Sequence, residues 1–104
     1  MHLGINPQQR DELRAYFSEK APKTQNEQVA VLGVKVKEYV NKEVFNIDEM
    51  HSAFKIVNKP TPKNLSSVFG NMKRDGKADY QDNTIIINSF TEDFVNFHMQ
   101  RADD

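Results

Sequence analysis

No cysteine occurs in the 104-residue sequence, which excludes disulfide frameworks, thiolate nucleophiles and cysteine-based zinc or iron–sulfur sites. No stretch approaches the roughly 18 continuous apolar residues of a membrane span, and Met1–Gln9 lacks the basic-then-apolar order of an export signal. The expectation is a cytoplasmic chain with no membrane partner. Asn64-Leu65-Ser66, formally a glycosylation triplet, is then ordinary backbone, because it has no secretory context. No glycine-rich phosphate loop follows a strand, and no serine has the nucleophile-elbow context. His2, His51 and His98 lie far apart without a neighbouring ligand pair. The sequence therefore points away from an enzyme, and no metal or cofactor is expected.

What is present is an ordinary globular composition, 38% hydrophobic and 28% charged with no repeat or low-complexity stretch, and a length that fits one domain over residues 1–104. The net charge of -1 hides a segregated pattern. Residues 50–77 carry Lys55, Lys59, Lys63, Lys73, Arg74 and Lys77 against the single Asp75. Residues 78–104 carry Asp79, Asp82, Glu92, Asp93, Asp103 and Asp104 against the single Arg101. The basic middle is either an electrostatic footprint for a polyanion or a solvated lysine surface balanced by the acidic end.

Local signals divide the chain into helices and short strands. Asn6 before Pro7 opens a helix to about Lys20, with Leu13, Tyr16 and Phe17 on one stripe. Ala21-Pro22 breaks it, and Thr24 with Glu27 reads as a capping box for a second helix to about Asn41. That helix carries Val29, Leu32, Gly33, Val36 and Val40 on one side, and Val31 and Val34 roughly opposite, so it should be sandwiched. Val44-Phe45 is a short extended segment; Asn46 and Glu49 then cap a third helix to about Asn58, with Met50, Ala53, Phe54 and Val57 on its apolar face. Lys59-Pro60-Thr61-Pro62 is a turn, with Thr61 the expected cap and Pro62 the first residue of a fourth helix to about Arg74. Leu65, Val68, Phe69 and Met72 form that helix's inner face, and Gly76 suits a left-handed cap. Lys77–Tyr80 and Thr84–Asn88 read as a hairpin. Thr91 is the expected cap of a last helix carrying Phe90, Phe94 and Phe97.

This order is α+β. The third helix, the Pro-Thr-Pro turn and the fourth helix form a helix-turn-helix followed at once by a hairpin in the place of a wing. Over residues 25–88 the chain resembles the winged helix-turn-helix superfamily. The likeness rests on Glu43–Glu49, Ala53-Phe54, Pro62-Lys63-Asn64-Leu65-Ser66 and the Ile85–Ile87 strand. It also looks like small prokaryotic winged-helix domains in which a Pro-x-Asn-Leu-Ser segment opens the recognition helix. The expected single domain is a winged-helix core over 22–88, with an added N-terminal helix over 1–21 and an added C-terminal helix over 89–104 read from their own caps and apolar spacing. Many members of the superfamily place the recognition helix in the DNA major groove, while others bind only proteins. The tip Tyr80–Thr84 departs from DNA-contacting wings, since it carries no arginine or lysine and Asp82 repels phosphate.

Two functions of different kinds follow. As a DNA-binding transcriptional regulator, the chain would meet double-stranded DNA through Lys63, Lys73, Arg74 and Lys77 on phosphates and Ser66, Ser67 and Asn71 at bases, with Gly70 permitting close backbone approach. As a non-catalytic adaptor or homodimer, it would bind a protein partner through Leu13, Tyr16, Phe17, Phe90, Phe94 and Phe97. The competing expectation for those aromatics is that the terminal helices simply cover the second helix within one chain.

Overall fold

A computed structural model of the chain describes residues 4–98. It contains five α-helices and one three-stranded antiparallel sheet, an α+β arrangement. Helix α1 (Pro7–Lys20) starts on a reciprocal capping box: Asn6 Oδ1 accepts from Gln9 N at 2.7 Å, and Gln9 Oε1 accepts from Asn6 N at 3.0 Å. Helix α2 (Gln25–Val40) is capped by Thr24, whose Oγ1 accepts from Glu27 N at 3.1 Å. The Glu27 carboxylate closes back on Lys23 N at 2.7 Å, one residue before the place a capping box assigns it.

Helix α2 is the core element. Every residue from Val29 to Val34 is buried, as is Val36, because α1 packs on one side of it and α3, α4 and α5 on others. Opposed apolar stripes thus enclose the middle of α2 on all sides, as expected for Val31 and Val34, while Glu38 in its last turns is exposed. On the α1 side, Tyr39 donates to Glu12 Oε1 at 3.3 Å; burial together with that carboxylate pushes the phenol up to about 12. At Gly33 the terminal segment of the sheet comes so close that an added Cβ would stand 2.5 Å from Ile87 Cδ1.

Strand β1 (Val44–Asn46) leads directly into α3 (Ile47–Ile56), and Asn46 and Glu49 form the expected capping box. Helix α3 ends two residues before Asn58, which takes the left-handed position (φ 58°) beyond the C-cap. Lys59 N then donates to Phe54 O and Asn58 N to Lys55 O, which closes the helix in a Schellman arrangement.

Helix α4 (Leu65–Arg74) begins later than expected. Thr61 is not its cap; its hydroxyl is 2.6 Å from His51 Nδ1 on α3. Asn64 caps instead, its Oδ1 accepting from Ser67 N at 3.2 Å, so Pro62 belongs to the turn. At the other end Gly76 (φ 74°) carries the expected left-handed turn, with Lys77 N bonded to Met72 O and Gly76 N to Lys73 O.

Strands β2 (Asp79–Gln81) and β3 (Thr84–Ile86) are shorter than expected and form a hairpin; β3 also pairs with β1, giving the order β1-β3-β2. The two connecting residues, Asp82 and Asn83, are both left-handed (φ 52° and 60°), as a type I′ hairpin turn requires. Helix α5 (Ser89–Asp93) is capped by Asn88 and not by Thr91, which is the third helical residue and fully buried. The chain continues as a π-helical turn over Phe94–His98. Asp103 and Asp104, and the expected C-terminal extension beyond residue 98, lie outside the described residues.

Candidate functional site

Four inward side chains fasten α4 to the core: Leu65, Val68, Phe69 and Met72, all buried. Their three- and four-residue spacing leaves Ser67, Gly70, Asn71 and Arg74 along the opposite row. Ser67 and Arg74 are exposed, and nothing lies within 4 Å of where a Gly70 Cβ would stand. Lys63, exposed in the turn, lies one residue before the Asn64 cap. Gly70 therefore makes no packing contact that demands a glycine. Its presence lowers the row and costs up to about 1 kcal/mol of helix stability relative to alanine.

The remaining candidate residues on this part of the chain point elsewhere. Ser66 Oγ donates to Asn83 Oδ1 at 3.0 Å, so this hydroxyl is engaged by the hairpin and withdrawn from the outward row. Lys73 lies on the same flank, its Nζ 3.5 Å from Tyr80 O. Lys77 extends away from α4 and stands over the Phe94 ring at 4.3 Å, at a cleft also lined by Asp75, Phe90 and Asp93. Lys63, Ser67, Gly70, Asn71 and Arg74 remain without a contact to the hairpin or to the α5 region, and Lys73 is exposed beside them.

Of the described acidic residues, Asp48 lines the same cleft as Lys63, and Asp75 adjoins Arg74. Among the described residues, no ion pair joins Asp79, Asp82 or Asp93 to Lys63, Lys73 or Arg74. Glu92 is held on the α2 side by Lys37 at 3.4 Å. Arg74 Nε is 3.5 Å from Asp75 Oδ1, with 72% of the Arg74 side chain exposed. So open and long a pair contributes little, which leaves the guanidinium available.

The aromatic stripes divide in the opposite sense. Leu13, Phe17 and Phe94 are buried in the chain's own core. Tyr16 is half-buried beneath Lys35 and Lys20, at 5.0 and 5.7 Å from its ring centre. These four do not form an open surface, because α2 takes up the apolar face of α1 and of the α5 region. Phe90 and Phe97 do stay open, 65% and 76% exposed. Phe97 follows Phe94 within the π-helical turn and faces outward.

Two further residues shape the geometry around α4 through contacts that have no local sequence signal. Asn83 accepts from both Ser66 and Tyr80, the latter at 2.9 Å. His51 on α3 pairs with Thr61 in the turn before α4. The Asp82-Asn83 pair does signal a left-handed turn, but nothing local indicates that the Asn83 amide reaches another helix. Comparison of the chain with protein-family models, with curated proteins and with solved structures gives no match.

Proposed function

We propose that this chain is a winged-helix DNA-binding domain, suited to a transcriptional regulator, that inserts α4 into the major groove. The order α2-β1-α3-α4-β2-β3 with sheet order β1-β3-β2 supports the winged-helix reading, which also rests on the α3-turn-α4 pair. One observation carries the functional step: α4 turns all its large apolar side chains inward and presents Ser67, Gly70, Asn71 and Arg74 outward, with Lys63 at its start. Ser67 and Asn71 offer short hydrogen-bonding groups for base edges, and Lys63 and Arg74 offer charge for phosphates. Gly70 lets the helix backbone approach the groove floor.

The test is a salt titration of duplex binding followed by fluorescence anisotropy. With Lys63 and Arg74 each neutralising a phosphate, the log–log slope should be about -2 or steeper, at roughly 0.9 per contact. A folded protein that does not bind duplex at about 50 mM salt contradicts the reading.

A second reading, a non-catalytic adaptor or homodimer, is favoured by the exposure of Phe90 and Phe97. It predicts binding that survives reversal of the α4 charges and fails on Phe90→Asp with Phe97→Asp. Phe94→Asp is no test of this reading, since burying a carboxylate at a core position unfolds the domain by itself.

A further inference from the structure

The hairpin tip is fastened along one whole flank of α4. Asn83 Oδ1 takes two hydrogen bonds at once, from Ser66 Oγ at 3.0 Å and from the Tyr80 hydroxyl at 2.9 Å. The Tyr80 ring meets Phe69 edge-on, with centroids 6.0 Å apart, and Tyr80 O lies 3.5 Å from Lys73 Nζ. Ser66, Phe69 and Lys73 run from the first turn of α4 to the last, so the tip is held at both ends and the middle of that flank. Asp82, next to Asn83, is exposed, and no described cation pairs with it. Its backbone is fixed as well: it is left-handed, and its carbonyl accepts from Thr84 Oγ1 at 3.3 Å.

We infer that Asn83 is a positioning residue and Asp82 a specificity-determining one: together they make the β2–β3 tip a fixed negative screen that confines a duplex to the Lys63–Arg74 side of α4. The inference rests on the DNA-binding reading and adds the orientation of docking. A duplex carries a negative charge about every 1.7 Å of its axis, so tilting toward the tip, at the Ser66 end of the flank and away from Lys73, brings phosphates within the roughly 8 Å over which Asp82 is unscreened. Tilting the other way brings phosphates to Lys63 and Arg74 instead. A mobile tip could swing aside and relieve the repulsion; the Asn83 anchorage prevents this.

The test uses a duplex of about 20 base pairs and four proteins: wild type, Asp82→Asn, Asp82→Lys, and Asp82→Lys with Asn83→Gly. Asn at position 82 and Gly at position 83 both accept the left-handed turn, whereas Lys at position 82 is strained there, so circular dichroism first establishes that each lysine variant is folded. Asp82→Asn should bind about threefold more tightly at low salt, with the difference vanishing at high salt as the Debye length shrinks. Asp82→Lys should bind about tenfold more tightly, with a salt slope steeper by about 0.9 for one new phosphate contact. Releasing the tip with Asn83→Gly should remove most of that gain. Wild-type affinity and slope in both Asp82 variants overturn the screen while leaving the α4 interface standing, and an undiminished gain in the double variant overturns the role of Asn83. Failure of the wild type itself to bind overturns the DNA reading and the screen with it.

Discussion

Lys63→Glu combined with Arg74→Glu should weaken duplex binding by at least about 100-fold at physiological salt, because two counterion-releasing contacts are lost and two repulsions to phosphate replace them. The fold should survive. Both positions are exposed, and the pairing lost with Arg74 is the long, open one to Asp75. The main structural cost is a glutamate in the last turn of α4, which opposes the helix dipole by about 0.3–1 kcal/mol. A thermal melt should therefore move by only a few degrees, by roughly 4–8 °C per kcal/mol for a domain of this size. A melt that collapses would show that these side chains hold the fold together. An unchanged affinity in a folded variant would remove α4 from the interface.

Gly33→Val should destabilise the protein by about 1–3 kcal/mol, and Ile87→Ala by about 2–5 kcal/mol, yet the two together should cost less than their sum. The argument is steric. Gly33 lies in the middle of α2, where an exposed glycine would only weaken the helix, and its φ is not left-handed. Its role is to admit Ile87: a Cβ at position 33 would stand 2.5 Å from Ile87 Cδ1 and 2.9 Å from Cγ1, and Ile87 is fully buried. Such a gap is far inside van der Waals contact, so either Ile87 leaves its rotamer or the β3 end retreats from α2. Truncating Ile87 removes both clashing atoms, and the valine refills the space, which makes the double change close to volume-conserving. Denaturant midpoints of the two single variants and the double variant measure the coupling. Strict additivity would mean that the close approach of Ile87 to α2 does not limit what position 33 can hold.

How far the fold could be read from the chain depends on the range of the interaction concerned. Asn6, Thr24 and Asn46 cap their helices as expected because each bond spans three residues. Gly76 likewise takes the left-handed turn that its position beyond α4 demands. Thr61 and Thr91 do not cap their helices, for two different reasons. Thr61 is drawn to His51 ten residues away, a tertiary contact with no local signature, and the cap falls to Asn64. Thr91 lost to Asn88, the better capping residue, and was buried instead.

The candidate site follows the same division. The inner row of α4 has helical spacing, so Ser67, Gly70 and Arg74 were legible opposite it, with Ser66 and Asn71 as flanks; Lys63, expected in the same row, lies instead in the turn because the helix starts at Leu65. That Ser66 and Lys73 turn toward the hairpin, and Lys77 toward Phe94, depends on where β2 and α5 pack. No periodicity encodes that packing. The aromatic stripes were legible as apolar faces but not as interface or core. Which they became was decided by α2, which has apolar surface on all sides and so accepts partners on all sides.

A titration of the isotopically labelled protein with a short duplex, followed by amide chemical shifts, tests the central claim most directly. The account predicts that the largest shifts, lost again at high salt, cluster at Lys63, Ser67, Gly70, Asn71 and Arg74, with smaller ones at Ser66 and Lys73. Shifts centred on Phe90 and Phe97, or no shifts at low salt, would contradict it.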